Sequence, residues 1–587
     1  MILPSRAEII GHAKNGTLLN AIFDDLWESR FQHCDALAEQ LAQAQNDGDI
    51  NLLSLLASGA IDAFHGYKAD LGRRIYFLVL RKLDISAPAL ITALEGLSGQ
   101  KGTETYEVTD TLSAWCGASG TRPKELLTLI DTKQVDGCKL YSLSIAIRSG
   151  LKVDMSYFAE RAYTFIADGT ETQKVQVIQA LSEPPFSQDA DWQRGLNAFS
   201  ASVEQETADE IRSAQTRTLL TWFKTAPPIL THELHRLISK AALPTTPAVA
   251  RDIAYALAFN FKDFNSTVAG ALHSLLRLVR PEPDTLNLID YGLAHFIEAG
   301  EVTRVRDHIA ELILHPDSKI SFENFDSVIS KLHEGPAECL EDWVVSWLRT
   351  APYKLCQELS DGLFATKEEY KFQSDFARFD LSGMEYGFIA RRAIAVFFIK
   401  PAIAAALIIS LGRCASQTQS NVLSDLLFDP LLVNYTSADK HLRTVADDAQ
   451  DKAAQMVKKA LLDLKGYCDS LGEIGFIPEL QPSERERQLE WQRHSDSMND
   501  SMRESKKSSP FAGIFAERVL LYGNGMVTWI KDNPVEGNDD RSASPGRRME
   551  QTLANFSHQY EIPREEVLDP TGLRMKLLNF KLEGRPE

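Results

Sequence analysis

The chain has 587 residues, 44% hydrophobic and 24% charged, so it can bury a large core and is not disordered overall. Its formal charge of −19 disfavours a nucleic-acid-tracking protein, because phosphate binding needs Lys and Arg lining a surface. Seven cysteines are scattered without Cys-x-x-Cys spacing, which argues against a disulfide framework or zinc knuckle and for a reducing compartment.

In chain order, the first residues, MILPSRAEIIGHAKNG, hold no apolar core of signal-peptide length, so a cytoplasmic location is expected. Helical periodicity then begins. Leu19, Ile22, Phe23, Leu26, Trp27, Phe31, Cys34, Leu37, Ala38 and Leu41 follow three- and four-residue steps, and Asn46-Asp47-Gly48 supplies a stop. RPKELLTLID opens with Thr121 as N-cap and Pro123 in the first turn. TPAVARDIAYALAFNF repeats the scheme with Thr246 and Pro247, and EPDTLNLIDYGLAHFIEAGE closes on Gly300. This succession of short helices predicts a mainly α fold, a multi-helix array resembling an irregular α-solenoid of the HEAT or TPR kind over residues 1–365. No fixed repeat period aligns, so an irregular multi-helix bundle stays open beside it.

EDWVVSWLR sets Trp343 and Trp347 one helical turn apart, either as core packing or as an interaction face. Residues 366–388 are aromatic and acidic with little period and read as a connection into a second helical domain, 366–480. That domain holds the longest apolar run, AIAVFFIKPAIAAALIISLG (residues 393–412). The run is long enough for a bilayer span, but Lys400-Pro401 interrupts it, and a central Lys costs about 2.5–3.5 kcal/mol on insertion scales. Two buried core helices broken at Pro401 are therefore expected. A membrane-active segment is the alternative.

Residues 481–510 are polar and read as a connector, a solvated helix or a mobile linker. Within it, RQLEWQRHSDSMNDSMRES is similar to helical accessory proteins of multi-component bacterial defence operons. That resemblance covers only this stretch, assigns no residue a role, and implies a component of a larger system. In residues 511–587, Asn524-Gly525 signals a β-hairpin. Against it, Ser509 and Pro510 suit an N-cap and first turn, Gly523 suits a C-terminal stop, and Val519, Leu520, Leu521 and Tyr522 break strict alternation. A helix pair is the expectation for this C-terminal region. From residue 541 onward, eight Lys or Arg stand against seven Asp or Glu, a net of +1, with Arg547 and Arg548 as candidate phosphate contacts.

Motifs that carry chemistry are mostly absent from the sequence. THELHRL resembles a zincin helix, but His232 and His235 are three apart rather than four, and no third ligand is identifiable. No Gly-Lys-Ser/Thr or Gly-x-Ser-x-Gly occurs, and Gly523-Asn524-Gly525 lacks the third glycine of a dinucleotide site. No catalytic residue, cofactor or metal is assigned, although groups distant in sequence can still meet in an enzyme. The function expected is a non-catalytic scaffold or adaptor for a protein partner. The alternative is a regulated effector acting on membrane through 393–412 or on nucleic acid through 541–587.

Overall fold

The protein is described from a computed structural model covering residues 4–22, 27–57, 67–98, 105–205, 208–435, 439–474, 482–508, 515–520, 525–530, 547–552 and 563–586. The fold is mainly α, with many helices packed in an array. It divides into two compact units, residues 1–335 and 336–587.

In the first unit, helices two apart in sequence pack on one another. Glu171–Ala180, Asp209–Thr225, Pro247–Phe259, Pro283–Glu298 and Asp326–Glu334 each touch the next in the series, and Met155–Asp168, Asp189–Gln205, Thr231–Ala241 and Ser266–Leu276 form a second such run. Local signals fix many of the ends. Thr246 accepts a hydrogen bond from the Val249 amide before Pro247 opens its helix. Gly48 and Gly300, both at positive φ (78° and 81°), lie just beyond the ends of Trp27–Asn46 and Pro283–Glu298, in a conformation that favours glycine. Thr121 departs from expectation. Its side chain makes no cap bond and pairs with Ser119 instead.

The second unit begins at Pro336, whereas the sequence suggested a boundary near residue 365. Long-range polar contacts run within this unit. The fully buried Glu341 carboxylate accepts from the amides of Gln373 (2.7 Å) and Ser374 (2.8 Å) and from the Tyr370 hydroxyl (3.2 Å). Arg392 donates to the carbonyls of Leu348 and Ala351. These bonds tie residues 336–365 to the chain beyond residue 366, and no sequence window contains them. The supposed connection is also shorter than expected. It holds a single turn at Phe376–Phe379, and the helix Gly383–Val396 opens inside it on a Ser382/Glu385 capping box.

The apolar run is resolved as the core reading anticipated. Gly383–Val396 and Pro401–Gly412 are separate helices with largely buried side chains. Lys400, itself buried, sits between them and donates to the carbonyls of Ser360 (3.0 Å), Phe364 (2.5 Å) and Ala365 (3.2 Å) at the end of the preceding helical turns. Among the described residues, no helix is long and apolar enough to cross a membrane.

Residues 484–508 form one helix, entered through a reciprocal Ser483/Glu486 cap, with Trp491 and Leu489 exposed. Over these residues the connector is helical.

The expected C-terminal helix pair is not what folds. Phe515–Leu520 (β1), Gly525–Ile530 (β2) and Arg547–Thr552 (β3) make an antiparallel sheet in the order β1-β2-β3. Val519 faces Val527 and Leu520 faces Met526, with an irregular register near Phe515. Val519 and Leu520 are consecutive apolar residues, so alternation is weak within β1, while β2 is rich in the β-favouring Val527, Thr528, Trp529 and Ile530. Ser509, Pro510, Gly523 and Asn524 lie outside the described residues. Two further helices, Arg564–Leu568 and Pro570–Leu582, come after the sheet.

Candidate protein-recognition face

In the first unit, Asp209–Thr225, Pro247–Phe259 and Pro283–Glu298 lie side by side, with most of their side chains buried. Each therefore shows solvent little more than one ridge. On Pro247–Phe259 the ridge is Arg251, Tyr255 and Phe259, spaced by four residues and so stacked along one side. Tyr291 projects from the next helix. Gly292 permits the approach of these two helices, since a Cβ there would lie 3.2 Å from Leu257 Cβ.

The result is a row of exposed rings. Tyr255 and Phe259 have centroids 4.8 Å apart, and Phe259 and Tyr291 6.5 Å apart. Each keeps more than half of its surface exposed (54%, 59% and 53%). Beside the row is a cavity of about 940 Å³ whose lining includes Arg217, Arg251, Asp252, Tyr255, Asn260 and Glu282. Its floor is rigid. The buried Asp252 carboxylate accepts from the Ser213 hydroxyl and from Arg217 Nε (2.8 Å), which links the two helices below the rings. Arginines and tyrosines over a fixed polar base suit the capture of an extended segment by stacking and hydrogen bonding.

The residues singled out from sequence are placed elsewhere. Trp343 and Trp347 meet edge to face at 5.5 Å and are buried, 0% and 3% exposed, in the second unit. They are core packing and present no interaction face. Arg547 and Arg548 open β3, opposite Ile530 and Trp529, and their side chains lie outside the described residues. His232 and His235 share the helix Thr231–Ala241, and among the described residues no group of three or more His, Cys, Asp or Glu side chains is arranged to hold a metal.

One buried pair had no signal in the sequence. His273 and His308, both 1% exposed, join Nε2 to Nδ1 at 3.0 Å from the facing helices Ser266–Leu276 and Val302–Leu314. Burial pushes His273 down to about 3 and His308 to about 4, with nearby Arg277 acting in the same direction on both. The pair is held neutral, one ring donating to the other. Thirty-five residues separate the two. The aromatic row was also missed from sequence, although Arg251, Tyr255 and Phe259 recur at the same four-residue step, a signal that could have placed the rings on the polar side of the helix.

No protein-family model matches the chain, and no curated protein matches it.

Proposed function

We propose that this chain is a non-catalytic helical adaptor of the cytoplasm that captures an extended segment of a partner protein on the Tyr255–Phe259–Tyr291 face, as one component of a larger assembly. The observation that carries the reading is the row of half-exposed rings beside a cavity bearing Arg217 and Arg251. Tyr, Phe and Arg are enriched at protein interfaces, and large exposed aromatics held in fixed positions lose little freedom on binding. The alternate packing of helices in the first unit supports an α-solenoid of the HEAT or TPR kind, a class that binds partners along extended surfaces.

The test is affinity capture of the full chain from its native host, beside a triple variant Tyr255→Ala, Phe259→Ala and Tyr291→Ala. A stoichiometric protein recovered with the parent and lost with the variant is the expected result. Equal recovery by both chains would remove the face from the proposal. Robust turnover by the purified chain, or recovery with nucleic acid or membrane in place of a protein, would replace the adaptor with an enzyme or an effector.

A further inference from the structure

The second unit's last helices are attached in an unusual way. Over residues 563–586 only Leu573 is buried, while Val567, Leu568, Met575, Leu578 and Leu582 are exposed. Apolar burial, the usual basis of helix docking, is therefore scant. Charge and polar pairing take its place. Arg391, on Gly383–Val396, grips Glu583 through two bonds, Nε to Oε2 at 2.6 Å and Nη2 to Oε1 at 2.5 Å. Two residues on, Arg585 Nε donates to Glu385 Oε1 at 3.0 Å, on a carboxylate that also accepts from Arg349. Lys576 reaches Asp429 at 2.6 Å, and Asn434 exchanges two 2.9 Å hydrogen bonds with Glu565.

The receiving surface is shaped for this grip. At Gly387 an added Cβ would lie 2.9 Å from Arg391 Nη1, so the absence of a side chain lets the guanidinium lie along the helix toward Glu583. The pairs are only partly buried, with 26% and 29% of the Arg391 and Glu583 side chains exposed, which leaves them open to screening by salt.

We propose that residues 563–586 form a charge-latched strap that detaches from the second unit as a piece, by a local opening driven by ionic competition, while the helices beneath stay folded. Its hold lies in the Arg391–Glu583 and Arg585–Glu385 pairs, at the chain's end, and in the Lys576 and Asn434 contacts nearer its start. A competing polyanion or polycation would open it as salt does. Few buried contacts and many exposed charged ones are the features of a segment at the low-stability end of a fold.

Hydrogen exchange of the full chain, followed by mass spectrometry in dilute buffer and in about 1 M sodium chloride, where the screening length falls to about 3 Å, tests this. Protection across Pro570–Leu582 is expected to fall by about tenfold or more in high salt, the behaviour of a segment with its own opening equilibrium, with Pro401–Gly412 unchanged. Arg391→Glu should produce the same loss in dilute buffer. Arg391→Glu combined with Glu583→Arg should restore protection, which a general loss of folding could not do. Protection indifferent to salt, loss in step with Pro401–Gly412, or a charge swap that fails to restore it would each overturn the proposal.

Discussion

Tyr255 and Phe259 in the first unit, and Trp343 and Trp347 in the second, are aromatic pairs with the same four-residue spacing, and they end in opposite environments. The first pair is more than half exposed and the second is in the core. Spacing alone places two rings on one side of a helix, and the flanking residues at the same step decide which way that side faces. Around the tryptophans the four-residue step collects Cys339 and Ala351, and the adjoining row is Leu340, Val344 and Leu348, all three buried. Around the other pair it collects Arg251, while Val249, Ile253 and Leu257 carry the inward side. Tyr255 and Phe259 line up with an arginine on the surface, whereas Trp343 and Trp347 lie beside a row of Leu and Val in the core.

Trp343→Ala bears hardest on this contrast. Truncating a buried tryptophan is expected to cost about 3–5 kcal/mol, read as a lower denaturation midpoint with an unchanged slope. A loss below about 1 kcal/mol would mean the pair is not core after all. The His273–His308 pair extends the contrast, because it is buried in the same unit as the exposed rings. Both folded-state values lie below the ordinary value of 6.5, so the unfolded chain binds more protons between about pH 6.5 and 3. The stability the pair contributes is fully present above pH 6.5 and declines as the pH falls through that window. Replacing both with leucine should flatten this part of the stability profile, and an unchanged slope would show the imidazoles to be solvated. The smallest expected effect is that of Tyr255→Ala on stability, within about 0.5 kcal/mol, as for a surface site. A larger loss would show that the ring supports the array rather than facing a partner.

Much of the helical architecture was readable because its signals are local. Gly48, Gly300 and Thr246-Pro247 each act within a few residues of the helix end they fix, and the break at Pro401 is a property of that residue alone. What escaped depends on distance. Glu341 and Arg392, which join parts of the second unit, bond to Gln373 and Leu348 across 32 and 44 positions of the chain. The β-sheet escaped for a different reason. Its hairpin signal is present at Asn524-Gly525, but the contiguous apolar residues before it hide the alternation expected of a strand. Of the face itself, the two helices are legible in the sequence and their outward ridges less so, because periodicity finds a helix more readily than it orients one.

Lys400 has a consequence that reaches back before folding. In the unfolded chain, residues 393–412 are the longest apolar run, and the carbonyls to which the Lys400 ammonium donates in the fold, 35 to 40 positions earlier, are not yet held around it. At that stage the charge stands alone in an apolar run and opposes partition into a bilayer. Once the carbonyls of Ser360, Phe364 and Ala365 are in place, the same ammonium closes the end of a helix. A Lys400→Met substitution, conservative in size, would therefore act twice, loosening the finished unit and making the nascent chain a better match for the membrane.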